Sequence, residues 1–260
     1  MTATTTTGAR RSARPLIITH WREMSRNRTN FYFILVFPFL LAGMFLGMNK
    51  ILSSSMQGPG PDFSVMVVPL ALCMLLTGTC MTLTSGPIAE YRQHGTLRIL
   101  GTTPVSRGQF IVTHLGVRVL LALVLSALAA ALGAALDIVE PAAVWRAIIV
   151  ALPSSVLFLS LGYFIGSLIS SGQAATNAAT FTGLFFLFAS GVAIPQEILS
   201  DSIKRILDLL PTAYFGDLLF WICGGRQGHG TLLDFAVLIA SAIVVVPLAV
   251  KTFRWEAAKN

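Results

Sequence analysis

The chain has 260 residues, of which 55% are hydrophobic and only 11% charged, against roughly 25% charged in an average soluble domain. A soluble fold of this length would lack the polar residues to cover its surface, so the bilayer is the natural solvent. The net charge of +7 is clumped rather than spread over a face, which argues against nucleic-acid binding and for orientation by lipid and the insertion machinery.

Residues 1–14 are Thr-rich and then basic and read as a disordered cytoplasmic tail. They have no early apolar stretch with a small-residue cleavage site, so a signal peptide is not expected. Across residues 15–30, Ile17, Trp21 and Met24 fall on one helical face, with Arg22 and Arg26 on the opposite one. That pattern predicts a short amphipathic helix lying in the membrane interface, in contact with lipid.

Six stretches are then long enough to cross about 30 Å of hydrocarbon: 31–48, 63–85, 109–136, 145–169, 174–194 and 232–250. Backbone groups in lipid must pair within their own segment, so these are expected to be helices. The predicted fold class is an all-α integral membrane protein with six transmembrane helices, ending in a short tail, 251–260. Between the fifth and sixth spans, Leu199, Ile203, Ile206 and Leu210 recur at helical spacing until Pro211. A second apolar stretch follows, from Tyr214 to Ile222, and Gly224 and Gly225 end it. Two short re-entrant helices at the extracellular face, partly dipping into the bilayer, are predicted here. With the N-terminus inside, thirteen of the eighteen Lys and Arg residues fall on the inner segments. The positive-inside rule therefore places both termini in the cytoplasm.

Chemical machinery is not expected. Cys73, Cys80 and Cys223 form no CxxC pair, and the first two sit in an apolar run where Cys packs as a small filler. His20, His94, His114 and His229 show no metal-ligand spacing, so no metal and no cofactor are predicted. His114 and Arg118 lie near one end of the long third span, where snorkelling would explain them. The middles of the spans carry no Asp, Glu, Lys or Arg, which argues against an ion-coupled carrier. No HExxH, nucleophile elbow or P-loop is present, and the Gly-rich string from Gly225 to Thr231 lacks the phosphate-binding lysine. Any uphill transport would draw its energy from another chain.

The most informative segment joins the second and third spans. Glu90 sits where the helix leaves the membrane, Gly95 permits a break, and Thr96 can cap a stub carrying Leu97, Ile99 and Leu100 before Pro104 stops it. An apolar-faced stub of this kind calls for a partner surface.

Glu90, Gly95-Thr96-Leu97, Leu100 and Thr103-Pro104, taken in this order, resemble the corresponding loop of ABC-2 type transporter permeases. The interfacial segment ending HWREMSRNRTN, the internal Pro38 of the first span, and the Gly191–Pro195 and Leu210-Pro211 stretches fit the same family. The likeness is greatest to its antibiotic and drug-export branch, in a bacterial plasma membrane. The resemblance implies a dimer of permease chains, identical or paralogous, each docked on a separate ABC-type ATPase that binds the ATP. Glu90, Tyr91, Arg92, Gly95, Thr96, Leu97, Leu100, Thr103 and Pro104 would form the ATPase-coupling loop, with the interfacial helix (Trp21, Arg22, Arg26) beside it. It also implies a substrate path, or dimer seam, at the first, second and fifth helices, where Phe37, Phe45, Phe181, Phe185 and Phe188 stand. An aromatic wall suits a hydrophobic or amphiphilic cargo, although such residues also face lipid or fill helix contacts. Polysaccharide, lipid-linked glycan or haem-related cargo stays open, as does a non-transporting membrane scaffold or a membrane enzyme.

Overall fold

The computed structural model describes residues 17–24, 28–55, 64–96, 107–194, 200–225 and 228–252. Helix α1 covers 17–24, and α2 runs Arg28–Ser55. Helix α3 is one rod, Ser64–Gln93, with a π-helical turn at Gly78–Thr82. Then come α4 (Arg107–Ala135), α5 (Ala143–Leu168), α6 (Gly172–Ala189), the short α7 (Asp201–Asp208) and α8 (Pro211–Ile222), and α9 (Thr231–Thr252). No strand occurs among the described residues. Arg26, Leu97, Leu100, Thr103, Pro104 and the two predicted tails, apart from the start of the second, lie outside them.

Among the described residues, five helices are long and apolar enough to cross a membrane: the spans Phe31–Ile51 of α2, Ser64–Gln93, Ile111–Ala135 of α4, Ala143–Leu168 and Thr231–Thr252. Helix α6, read from sequence as the fifth span, has 18 residues, and its first half carries Gln173, Thr176, Asn177 and Thr180. Several hydroxyls within these apolar helices are satisfied at short range. Ser154, Ser155 and Ser160 each donate to the carbonyl four residues earlier, at 2.6–2.7 Å.

Helix α3 is the most buried span and α2 the least. α5 crosses α3 at Gly162 and Gly166, where a Cβ would come within 2.9 Å of the Cys80 carbonyl oxygen and 2.6 Å of that of Ser85. Small residues spaced four apart thus let two backbones meet. The similar Gly43–Gly47 pair on α2 faces open space. Helix α8 is packed inside the bundle, with Phe215, Leu218, Leu219 and Ile222 buried. The edge-to-face pairs Phe158–Phe186 and Phe158–Phe215, at 5.1 and 4.9 Å, knit α5, α6 and α8 together. Ile203, Ile206 and Leu209, on and just after α7, stay exposed.

The bundle has two ends. The near end holds α1, the end of α3, the start of α4 and the α5–α6 elbow. The far end holds α7, α8 and the start of α9.

Candidate functional site

Helix α3 continues past Ser85, the end of the second predicted span, and reaches Gln93. It carries Glu90, Tyr91 and Arg92 on its last turns. His94 donates its backbone N–H to the Glu90 carbonyl at 2.9 Å, and Gly95 breaks the helix at φ +63°. This is left-handed backbone, which glycine adopts without a Cβ penalty. The predicted coupling segment therefore begins on a helix end that is firmly held. Arg92 donates to the carbonyl of Gly166 at 3.1 Å and to that of Ser167. These are carbonyls of the last turn of α5, where a helix end favours a cation. Glu90 packs on Gly172 at the start of α6, leaving no room there for a side chain. Ser85 donates to the Ala175 carbonyl at 3.1 Å. The root of the segment is thus fastened to both sides of the α5–α6 elbow.

Beside it lies a buried polar cluster that overturns the snorkelling expectation for Arg118. Its side chain is fully buried. Nη2 donates to the Leu83 carbonyl at 3.0 Å and pairs with Glu23 Oε1 at 3.4 Å, while Nη1 donates to the His114 carbonyl at 3.3 Å. There is a backbone reason for the first contact. In a regular helix the Leu83 carbonyl would accept from residue 87, which is a proline without an N–H. The guanidinium replaces that missing donor. Glu23 is reached by three elements: His20 of its own helix, with Nδ1 at 3.2 Å from Oε2, Tyr91 of α3 and Arg118 of α4. Burial alone would raise the Glu23 carboxyl. The hydrogen bond with His20, the charge of Arg118 and the hydrogen bond with Tyr91 outweigh it and hold the group below its ordinary value. His114 Nδ1 lies 2.5 Å from the Tyr163 hydroxyl, which extends the network to α5.

Helix α1 is therefore bolted on through Glu23 and through Met24, which packs with Leu83 and Val117. Of the apolar face read from sequence, only Met24 points inward. Ile17 and Trp21 are exposed, as is Arg22, an arrangement suited to an interfacial helix with its outer side toward lipid.

A cavity of about 200 Å³ lies between α2, α3 and α6. Phe33, Phe37, Met74 and Leu184 give it apolar walls, and the π-turn region contributes Thr77, Gly78 and Thr82. Gln173, Thr176, Asn177 and Thr180 of α6 form a polar wall. Of the predicted path residues only Phe37 lines this space. Phe45 packs against the core, and Phe181, Phe185 and Phe188 lie on the exposed side of α6. The polar stripe was visible in the sequence as positions three and four apart in an otherwise apolar helix.

Among the described residues, two groups of side chains have metal-ligand proximity: His20, Glu23 and His114 at the near end, and Asp217, His229 and Asp234 at the far end. The first already contains a cation, the Arg118 guanidinium. The second is built by α8, the following loop and the first turn of α9.

Two comparisons with known proteins bear on this arrangement. No curated protein matches the chain. The family model described as ABC-2 family transporter protein matches residues 53–251, which take in the helices lining the cavity apart from most of α2, the root of the α3–α4 connection and the far-end helices. The match spans well over half of the sequence, and the chain belongs to the ABC-2 family, as a multi-pass transmembrane permease of the ABC transporter type.

Proposed function

We propose that this permease exports a hydrophobic or amphiphilic small molecule, an antibiotic-like or lipid-like compound, across a bacterial plasma membrane, with six spans and both termini in the cytoplasm. Two permease copies pair, and each docks an ATPase subunit through the segment that starts at Gly95. ATP is bound by that partner, and this chain contributes no nucleotide site.

The observation that carries the cargo class is the two-sided lining of the cavity. Stacked Phe33 and Phe37, with ring centroids 4.6 Å apart, face a wall of amide and hydroxyl groups at Gln173, Thr176, Asn177 and Thr180. Apolar walls with a few placed polar groups suit a drug-sized amphiphile. The exposed aromatic faces of α2 and α6, including Phe181, Phe185 and Phe188, flank this opening and are where a second copy would close it.

Reconstituting the chain with its ATPase in proteoliposomes tests this reading. ATP-dependent movement of a fluorescent amphiphile should be blocked by Thr180→Trp, which fills the cavity. Leu97→Asp should abolish transport and ATPase retention while leaving the permease in the membrane. Full transport by Leu97→Asp would refute the coupling assignment, and unchanged transport by Thr180→Trp would refute the path.

A further inference from the structure

We propose that Asp217, His229 and Asp234 bind one divalent transition-metal ion, of the zinc type, which clamps α8 and its following loop to the start of α9. The site lies at the far end, apart from the cavity and from the coupling segment, and it does not depend on the transport reading.

Geometry comes first. One ligand atom from each residue lies within 4.8 Å of the other two. His229 Nδ1 is 2.8 Å from Asp217 Oδ2. Zinc binds imidazole nitrogen and carboxylate oxygen at about 2.0–2.2 Å, so tetrahedral ligands stand roughly 3.3–3.5 Å apart. Replacing the proton between Nδ1 and Oδ2 with a metal needs that pair to open by only about half an ångström. The loop is shaped to present the histidine. A Cβ at Gly228 would sit 2.5 Å from Asp217 Oδ2, and Gly230 has φ +101°, so side chains at these two positions would hold His229 away.

Charge points the same way. Asp217 and Asp234 are 2% and 1% exposed, two carboxylates closed off from water beside the His229 imidazole. Asp234 Oδ1 is buried and has no hydrogen-bond partner. A buried anionic oxygen left in that state is strongly unfavourable, and a dication between the two carboxylates neutralises both.

The donor set then selects the metal. An imidazole with two carboxylates suits zinc and its first-row neighbours better than calcium or magnesium, which take oxygen. With Nδ1 as ligand, Nε2 faces Asp208 Oδ1 at 3.9 Å, the place of the carboxylate that commonly orients a metal-bound histidine from behind. The Tyr214 ring, 4.5 Å away and tilted by 33°, holds the imidazole from the side.

The test uses the full chain, purified on a tag without histidines, stripped with chelator and titrated with Zn²⁺ against a chromogenic competitor. One equivalent should bind, and the thermal midpoint should rise with free Zn²⁺. Asp234→Asn and His229→Gln should each weaken binding by at least about 100-fold, and Asp208→Asn by about tenfold. Co²⁺ gives a second readout on the unmutated chain, through the visible absorption bands of a four-coordinate nitrogen–oxygen site, so a variant that fails to fold does not end the test. Absence of stoichiometric Zn²⁺ binding by the unmutated chain, or equal affinity in the folded variants, overturns the proposal.

Discussion

Removing the Arg118 charge is the most direct way to ask whether α1 is locked to the bundle. At 3.4 Å from Glu23, the pair attraction is about 5 kcal/mol at an effective dielectric of 20, before desolvation of either group is subtracted. Deleting one partner of a fully buried pair typically costs about 3–5 kcal/mol. The Glu23 side chain retains 16% exposure, so water relieves part of its loss and the lower end applies. Arg118→Met also strands the Leu83 carbonyl that Pro87 cannot serve, a penalty of about 1–3 kcal/mol for an unsatisfied buried acceptor. The expected total is about 4–6 kcal/mol. Glu23→Gln is expected to be milder, because the amide can still meet His20 and Tyr91. A four-variant cycle, followed by SDS-induced unfolding in mixed micelles, should show the double variant less destabilised than the sum of the singles by about 1.5–3 kcal/mol. The pH dependence has a definite sign. The Glu23 carboxyl is lowered in the folded state, so its stabilisation is complete above the ordinary glutamate value of about 4.3 and fades as pH falls below it. Additivity within about 0.5 kcal/mol would mean that the pair does not join α1 to α4.

Three further outcomes are expected. Gly166→Leu should abolish folding, because its first side-chain carbon would meet the Ser85 carbonyl at 2.6 Å; Gly43→Leu, facing open space, should change the thermal midpoint little, and equal damage from both would refute the crossing. Gly95→Ala forces a side chain into φ +63° at about 1 kcal/mol. Gly95→Asn should recover most of that, as measured by hydrogen exchange over residues 90–96, and no difference between the two would remove the backbone argument. Asn177→Leu together with Thr180→Leu should favour less polar cargo by up to about tenfold in relative efflux; an unchanged ratio would show that the polar wall does not select.

The apolar runs and the breaks at Gly95, Pro211 and Gly224 could be read directly, because length and turn chemistry are local properties. What carries α3 past Ser85 could not: the carbonyl freed by Pro87 is taken by Arg118, a residue of another helix, and the rod continues to Gln93. Arg118 itself looked like a snorkelling charge because two of its partners, Glu23 and Leu83, lie on other segments. On α6 the phenylalanines drew attention by size, whereas the smaller polar residues on the neighbouring stripe line the cavity. The Asp217, His229 and Asp234 group follows no sequence spacing, since a helix, a loop and a second helix each supply one member.

The same rod that begins the coupling segment also forms the cavity wall. From Gly95 back to the π-turn at Gly78 is seventeen residues, about 25 Å of helix at 1.5 Å per residue. Around the lower half, α1 is fixed through Glu23 and α5 and α6 through Arg92, Ser85 and Glu90, so these parts move with α3 rather than past it. The weak point is higher up. The π-turn lacks the regular four-residue hydrogen-bond step, and it faces the cavity through Thr82 and Gly78. On the proposed reading, a push on the segment after Gly95 would turn the lower half of α3 with its attached helices as one body, and the change in shape would be concentrated where cargo sits. Converting the π-turn to regular helix by deleting one residue between Gly78 and Thr82 should then leave ATPase docking intact while uncoupling ATP hydrolysis from transport. Normal coupling in that variant would mean that the rod transmits force without bending.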